Sequence, residues 1–333
     1  MVNATTVRFD DPVYGEVQFT EPLLVDLYHA EAVQRLAAIY QGGITAFIRP
    51  ERQTTRLEHS RGVAALLQRL GAGTIEQAAG LVHDVPHTAF SHVVDFVFPN
   101  AAHTYHEVHR DRIVRGSDLP QVMAKHALDW RTVTEAENFP LLEQPLPQLC
   151  ADRLDYFLRD GIVDVGTFSS DEGQALMQHL RVDQGQIVVD DVATARWLGD
   201  RFIELDDVCW CSVQEVGWYT VMAEALRSAI AHQVISEDDF AGTDRQVMAQ
   251  LTEAAIPEIS QWLGLLRRDV DFVRVSPTTE YDLVALPKVR AVDPPVMVRG
   301  RVRPLSQIDP AFAAQRSDYI AGKAGVWYLR ILA

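Results

Sequence analysis

The sequence predicts a mainly α-helical protein with a small N-terminal β-hairpin and a small α+β C-terminal part. Apolar residues recur at helical spacing from Leu23 to about Leu70 and in most segments up to Arg268. Strict alternation around a Pro and Gly turn is confined to the stretch before Phe19, and β-favouring, proline-punctuated runs dominate only after Phe272.

Residues 7–19 alternate on either side of Asp11-Pro12-Val13-Tyr14-Gly15, which reads as a hairpin turn. Val33, Leu36, Ala37 and Tyr40 line one helical face, and Val63, Leu66, Leu67 and Leu70 another, with Gly42-Gly43 and Pro50 breaking the run. Helical patterns continue over 75–82, 91–98, 106–115, 119–127 and 148–160. A short strand pair is expected around 180–189, then long helices over 193–234 and 244–268. Strands are expected at 272–275, 283–292, 296–302 and 326–331. This gives a catalytic core over 1–165, a helical extension packed on it over 166–270, and an α+β cap over 271–333. No repeat or low-complexity segment interrupts the pattern.

A chain of 333 residues with 47% hydrophobic content can bury one large core or two modest ones. Its net charge of −16 argues against a nucleic-acid partner, because backbone affinity needs clustered Lys and Arg. A small phosphorylated substrate stays compatible, since a few local cations and a metal can dominate one cleft. Met1 to Asp10 has neither a basic start nor an apolar run, and no later stretch is long enough for a bilayer, so a cytoplasmic protein without membrane contact is expected. Cys150, Cys209 and Cys211 form no disulfide framework or zinc knuckle and read as ordinary thiols. The apolar helices between Ala193 and Val234, with Trp197, Trp210 and Trp218, suit a core, or the face of a homo-oligomer.

Nine of the 11 histidines precede residue 127, and five fall between His83 and His106. His83-Asp84 ends an apolar helical stretch and offers two adjacent ligands. His59 stands at the start of a helix, and Asp152 near the start of another. Imidazole with carboxylate suits a divalent transition metal, Mn, Fe, Ni or Zn, and leaves positions for water and substrate oxygen.

The order His, His-Asp, distant Asp resembles the HD superfamily of metal-dependent phosphohydrolases, and the flanking residues resemble its deoxynucleoside triphosphate triphosphohydrolase branch. These are Asp11 to Gly15, Val33-Gln34-Arg35-Leu36, Tyr40-Gln41-Gly42-Gly43, Arg56-Leu57-Glu58-His59-Ser60-Arg61-Gly62-Val63, the run from His83 to His92, and the run from Asp152 to Asp160. The likeness covers about the first half of the chain. It implies an HD-domain helical bundle with His59, His83, Asp84 and Asp152 as metal ligands, and a cleft lined by His87, His92, Asp95, His106 and Glu107. It further implies that Arg56 and Gln41 contact phosphate or sugar, and Tyr156 and Asp160 the sugar. Pro86 and Thr88 stand where the branch usually has glycines.

Phosphoester hydrolysis needs neutralised oxygens, an activated water and a proton for the leaving oxygen; Mg²⁺ can accompany the substrate's phosphates. A histidine whose ordinary pKa is about 6.5 suits the proton transfer. His106 is the first candidate, oriented by Glu107, with His92 its nearest substitute. Rival readings are a phosphatase for nucleoside monophosphates or other small phosphoesters, a di-iron HD-fold oxygenase recruiting His106 and His126, and a non-catalytic nucleotide sensor.

Overall fold

The computed structural model describes residues 6–98 and 105–332, and helices dominate them. The hairpin forms as expected: Val7–Asp11 pairs antiparallel with Gly15–Phe19. The Asp11 carboxylate accepts from the backbone of Val13 and Tyr14 at 2.9 and 3.2 Å, which closes the turn.

The helix Arg56–Arg69 begins at a reciprocal cap. The Glu58 carboxylate accepts from Thr55 N–H at 2.8 Å, and the Thr55 hydroxyl accepts from Glu58 N–H at 3.2 Å. Its buried face carries Val63, Leu66 and Leu67 and packs on the helices Thr74–Val82 and Ala151–Arg159. The second half of Thr74–Val82, from Ala78 to Val82, is apolar all round, as a stretch enclosed on every side must be.

Two hydrophobic cores result. One joins the hairpin and these helices to the helix Val192–Leu205 and to Val292, Val296, Leu305 and Phe312. The other surrounds the helix Val213–Ala231, which packs on Val93–Val97, on Pro257–Leu263 and on a three-stranded antiparallel sheet. That sheet sets Trp327–Leu332 between Asp271–Val275 and Leu283–Ala285. The tail therefore feeds both cores, and the main cavity lies where they meet.

Several expected elements change shape. The strand anticipated over 283–292 stops at Ala285, and 286–294 runs as an irregular strap that includes Pro287 and Pro294. The stretch 296–302 is a hairpin, Pro295–Val298 with Arg301–Pro304, turning at Arg299 and Gly300, both at positive φ. The expected helix over 244–268 is two, Asp244–Glu253 and Pro257–Leu263, because Pro257 can only start a helix. The tail also holds a helix, Pro310–Lys323, announced by an Asp309 cap followed by Pro310. No helix among the described residues is long and apolar enough to cross a membrane.

Candidate active site

Each suspected metal ligand sits at the start or end of a core helix. His59 lies in the first turn of Arg56–Arg69, His83 and Asp84 just beyond Thr74–Val82, and Asp152 in the first turn of Ala151–Arg159. The four converge. His59 Nε2 is 2.9 Å from Asp152 Oδ1 and 3.8 Å from Asp84 Oδ2, and His83 Nε2 is 3.4 Å from Asp84 Oδ1 and 3.5 Å from Asp152 Oδ1.

The far nitrogens are occupied, which fixes the ring orientations. His83 Nδ1 lies 2.7 Å from the Gly80 carbonyl, and His59 Nδ1 lies 2.7 Å from Asp155 Oδ2. His83 Nε2 is buried with no hydrogen-bond partner, an orphan that a metal would satisfy. Although burial opposes their charge, hydrogen bonds with Asp152 and Asp155 push His59 up to about 10, and Asp84 and Asp152 raise His83 above its ordinary value. Asp84, buried too, is held at about 2 by Arg56 and the two histidines. Without an ion the group draws protons, so its residues fit a cation.

A second layer supports the first. Asp155 accepts from Arg159 Nε and Nη2 at 3.1 and 3.0 Å, and Arg159 reaches Asp11 of the hairpin at 3.1 Å. Gly62, one turn beyond His59, makes room: a Cβ there would stand 2.0 Å from Arg159 Nη2 and 2.2 Å from Asp155 Oδ1. Asp155 thus has a positioning role that its sequence suggests only through its three-residue spacing from Asp152.

Pro86 keeps the backbone after Asp84 in turns, so His87 arrives beside Asp84 without a helix, its Nε2 3.3 Å from Asp84 Oδ1. Arg35 clamps this loop by donating to the carbonyls of Val85 and His87 at 2.7 and 2.8 Å. Phe90 and Ser91 adopt left-handed conformations (φ 59° and 53°), which are uncommon for such residues. Buried Asp244 holds the strained pair by accepting from Phe90 N–H at 2.6 Å and from Tyr40 N–H at 2.8 Å. Gly43 passes close to it, where a Cβ would meet the Phe90 carbonyl at 2.5 Å.

His87, His92 and His106 form a second imidazole group. His87 stacks on His106 with centroids 4.0 Å apart and meets His92 edge-on at 4.9 Å. Their ligand atoms lie within 4.8 Å of one another. Burial lowers all three, His92 to about 4 and His106 to about 3, with neighbouring cations and imidazoles adding to the effect. They are therefore neutral near pH 7, unlike the free histidine on which the expected proton transfer was based. Glu107 stands 4.0 Å from His106, too far for a hydrogen bond, whereas Asp95 Oδ2 is 3.0 Å from His92 Nδ1. His103 lies outside the described residues, and exposed-side His126 pairs with Asp26 at 2.9 Å, away from the cavity.

Both groups open into one cavity of about 610 Å³. Arg56 is buried in it, Nη1 donating to Asp84 at 2.9 Å and Nε to Ser91 at 2.9 Å, so its partner is a suspected ligand and not Glu58. Gln41 Oε1 is buried without a partner. Tyr156 meets Trp210 edge-on at 4.9 Å, while Phe157 turns into the core against Phe168 and Phe202. The Trp210 indole donates to Asp160 at 2.6 Å, and burial pushes that carboxyl up to about 7. Sequence reasoning missed Trp210, Tyr219, Lys288 and Arg290, all of which line the cavity from beyond the motif-bearing half.

Comparison with known proteins gives consistent results. The HD domain family matches residues 56–160. A protein of Cordyceps militaris named metal-dependent phosphohydrolase cns2 is 34% identical over 97% of this chain and 95% of its own. The deoxynucleoside triphosphate triphosphohydrolase SAMHD1 of Mus musculus is 31% identical over 36% of this chain and 22% of its own. The crystal structure of a phosphohydrolase from Bacteroides thetaiotaomicron shares the fold, with a TM-score of 0.72 over 97% of this chain and 99% of that one, at 18% identity.

Proposed function

The chain belongs to the HD family of metal-dependent phosphohydrolases, and from that premise we propose that its substrate is a deoxynucleoside triphosphate, cleaved to nucleoside and inorganic triphosphate. The observation that carries the reading is that one cavity of about 610 Å³ joins the metal group, the imidazole group and an aromatic wall. Such a volume suits a ligand of nucleotide size. The partial likeness to SAMHD1 supports the same substrate class.

His59, His83, Asp84 and Asp152 would hold a divalent transition ion. When bound, the ion supplies neutralisation of phosphate oxygens and a water acidified towards hydroxide. Arg56, braced by Asp84 and Ser91, offers a fixed guanidinium to phosphate. His87 and His106, neutral and stacked, can hydrogen-bond substrate oxygens. His92, oriented by Asp95, delivers the proton to the leaving oxygen. It is neutral in the free protein, and an anionic substrate beside it raises its proton affinity. Tyr156 and Trp210 give the sugar and base a flat wall, and Gln41 and Asp160 give it polar contacts.

The test is turnover of deoxynucleoside triphosphates, ribonucleotides and nucleoside monophosphates with Mn, Fe, Ni or Zn supplied, the phosphate products being separated by chromatography. Inorganic triphosphate is the expected product. Orthophosphate released from monophosphates alone would replace this reading with a phosphatase using the same centre.

A further inference from the structure

Six cationic side chains line the cavity, and four are matched by carboxylates. Arg52 pairs with Glu215 at 3.1 Å, Arg56 with Asp84 at 2.9 Å, Arg110 with Glu137 at 2.7 Å and Arg153 with Glu143 at 3.6 Å. Lys288 and Arg290 have no carboxylate within 4.0 Å among the described residues. The acidic groups whose fields reach Lys288, namely Asp95, Glu107 and Glu143, all stay beyond that distance.

These two cations are not loosely placed. They belong to the 286–294 strap, which is held from behind. Arg290 N–H donates to buried Asp206 at 3.0 Å, and Asp206 accepts from the Tyr319 hydroxyl at 2.8 Å. Arg316 grips the Ala291 and Val292 carbonyls, each at 3.0 Å. Arg290 Nη1 donates to the Lys288 carbonyl at 3.1 Å, which sets the guanidinium beside the lysine. Burial and the Arg290 charge together pull the Lys288 ammonium below its ordinary range. Tyr156 and Tyr219 line the same cavity, and their hydroxyls have no hydrogen-bond partner among the described residues. Holding two like charges in a partly enclosed space without a counter-ion costs free energy, which an arriving anion would recover.

We propose that Lys288 and Arg290 form an anion subsite, separate from the metal-binding residues, that takes the distal phosphates of a nucleoside polyphosphate. The inference rests on the triphosphate reading above and adds to it the residues that count phosphates. A guanidinium and an ammonium on one strap match adjacent phosphates better than a single ester group, the first through a bidentate fork and the second as a point charge.

The test is calorimetric titration of inorganic triphosphate into the full-length, metal-loaded protein, comparing wild type with R290Q, R290K and K288Q. Circular dichroism and metal content check that each variant is intact. R290Q and K288Q are each expected to weaken triphosphate binding about tenfold or more, and R290K less. Folded R290Q and K288Q that bind triphosphate as wild type does would overturn the proposal. Should R290Q not fold, wild-type affinity in both K288Q and R290K has the same force. Lost triphosphate affinity in variants of a protein that turns over no deoxynucleotide would keep the subsite and discard the substrate reading. Normal deoxynucleotide turnover with unaffected triphosphate binding would do the reverse.

Discussion

Two groups of histidines share the cavity, and their surroundings give them opposite character. His59 faces Asp84, Asp152 and Asp155, His83 faces Asp84 and Asp152, and these carboxylates raise both against the penalty of burial. His87, His92 and His106 face Arg56 and one another, with Asp95 paired to His92 alone, and all three are lowered. The same side chain thus has a raised proton affinity in one place and a lowered one in the other. A carboxylate also stands 3.3 Å from His87 and 3.0 Å from His92, so the lesson is that the balance of carboxylates against Arg56 and neighbouring imidazoles, more than one close contact, separates the two groups.

The division is broken most severely by removing the ligands. H83A/D84A should lose bound metal by elemental analysis and lower hydrolysis to background while helical dichroism persists; a metal-free variant that still turns over would refute the ligand assignment. Next comes the neutral group. H92A should reduce kcat by roughly 10² to 10⁴-fold with metal retained, the usual range for a lost acid or base, and D95N by less. A larger loss in H106A than in H92A would move the proton-delivering role to His106.

A third substitution sharpens the role of the second layer. D155N keeps the side-chain volume but weakens the hold on His59, and metal affinity should fall about 10 to 100-fold in a competitive chelator titration. Unchanged affinity would show that the helix alone orients His59.

The smallest expected effect is on pH-dependent stability of the metal-free protein. His59 is raised from 6.5 to about 10, so its stabilising contribution is complete below pH 6.5 and is lost as pH rises through about 10. His92 and His106 are lowered from 6.5 to about 4 and 3, so their contribution is complete above pH 6.5 and is lost as pH falls through those values. Thermal melts should therefore drop on both sides of neutrality, and H106Q should flatten the acid limb by a few °C, given roughly 2–4 °C per kcal/mol in larger domains. An acid limb identical to wild type would mean that His106 does not carry this linkage.

Much of this is legible in the sequence. The hairpin shows in its alternation and its Asp-Pro turn, and the buried face of Arg56–Arg69 in the spacing of Val63, Leu66 and Leu67, because these signals are local. The strap 286–294 was hidden because its β-branched residues resemble a strand, while its prolines and its contacts with Asp206 and Arg316 take it elsewhere. Glu107 beside His106 in sequence suggested a pair, yet the closed pair is Asp95 with His92, since three residues at a helix start bring side chains together better than one.

By itself the sequence determined the helical class, the order of the His and Asp motifs, and a chain of net negative charge. These depend on composition and on neighbours within a turn or two. Only the tertiary structure decided which histidines face carboxylates, that Arg56 serves Asp84, and that Lys288 and Arg290 reach the cavity 136 and 138 residues after Asp152. Electrostatic environment falls off with distance in space, not along the chain, so it exists only after packing has chosen each group's partners.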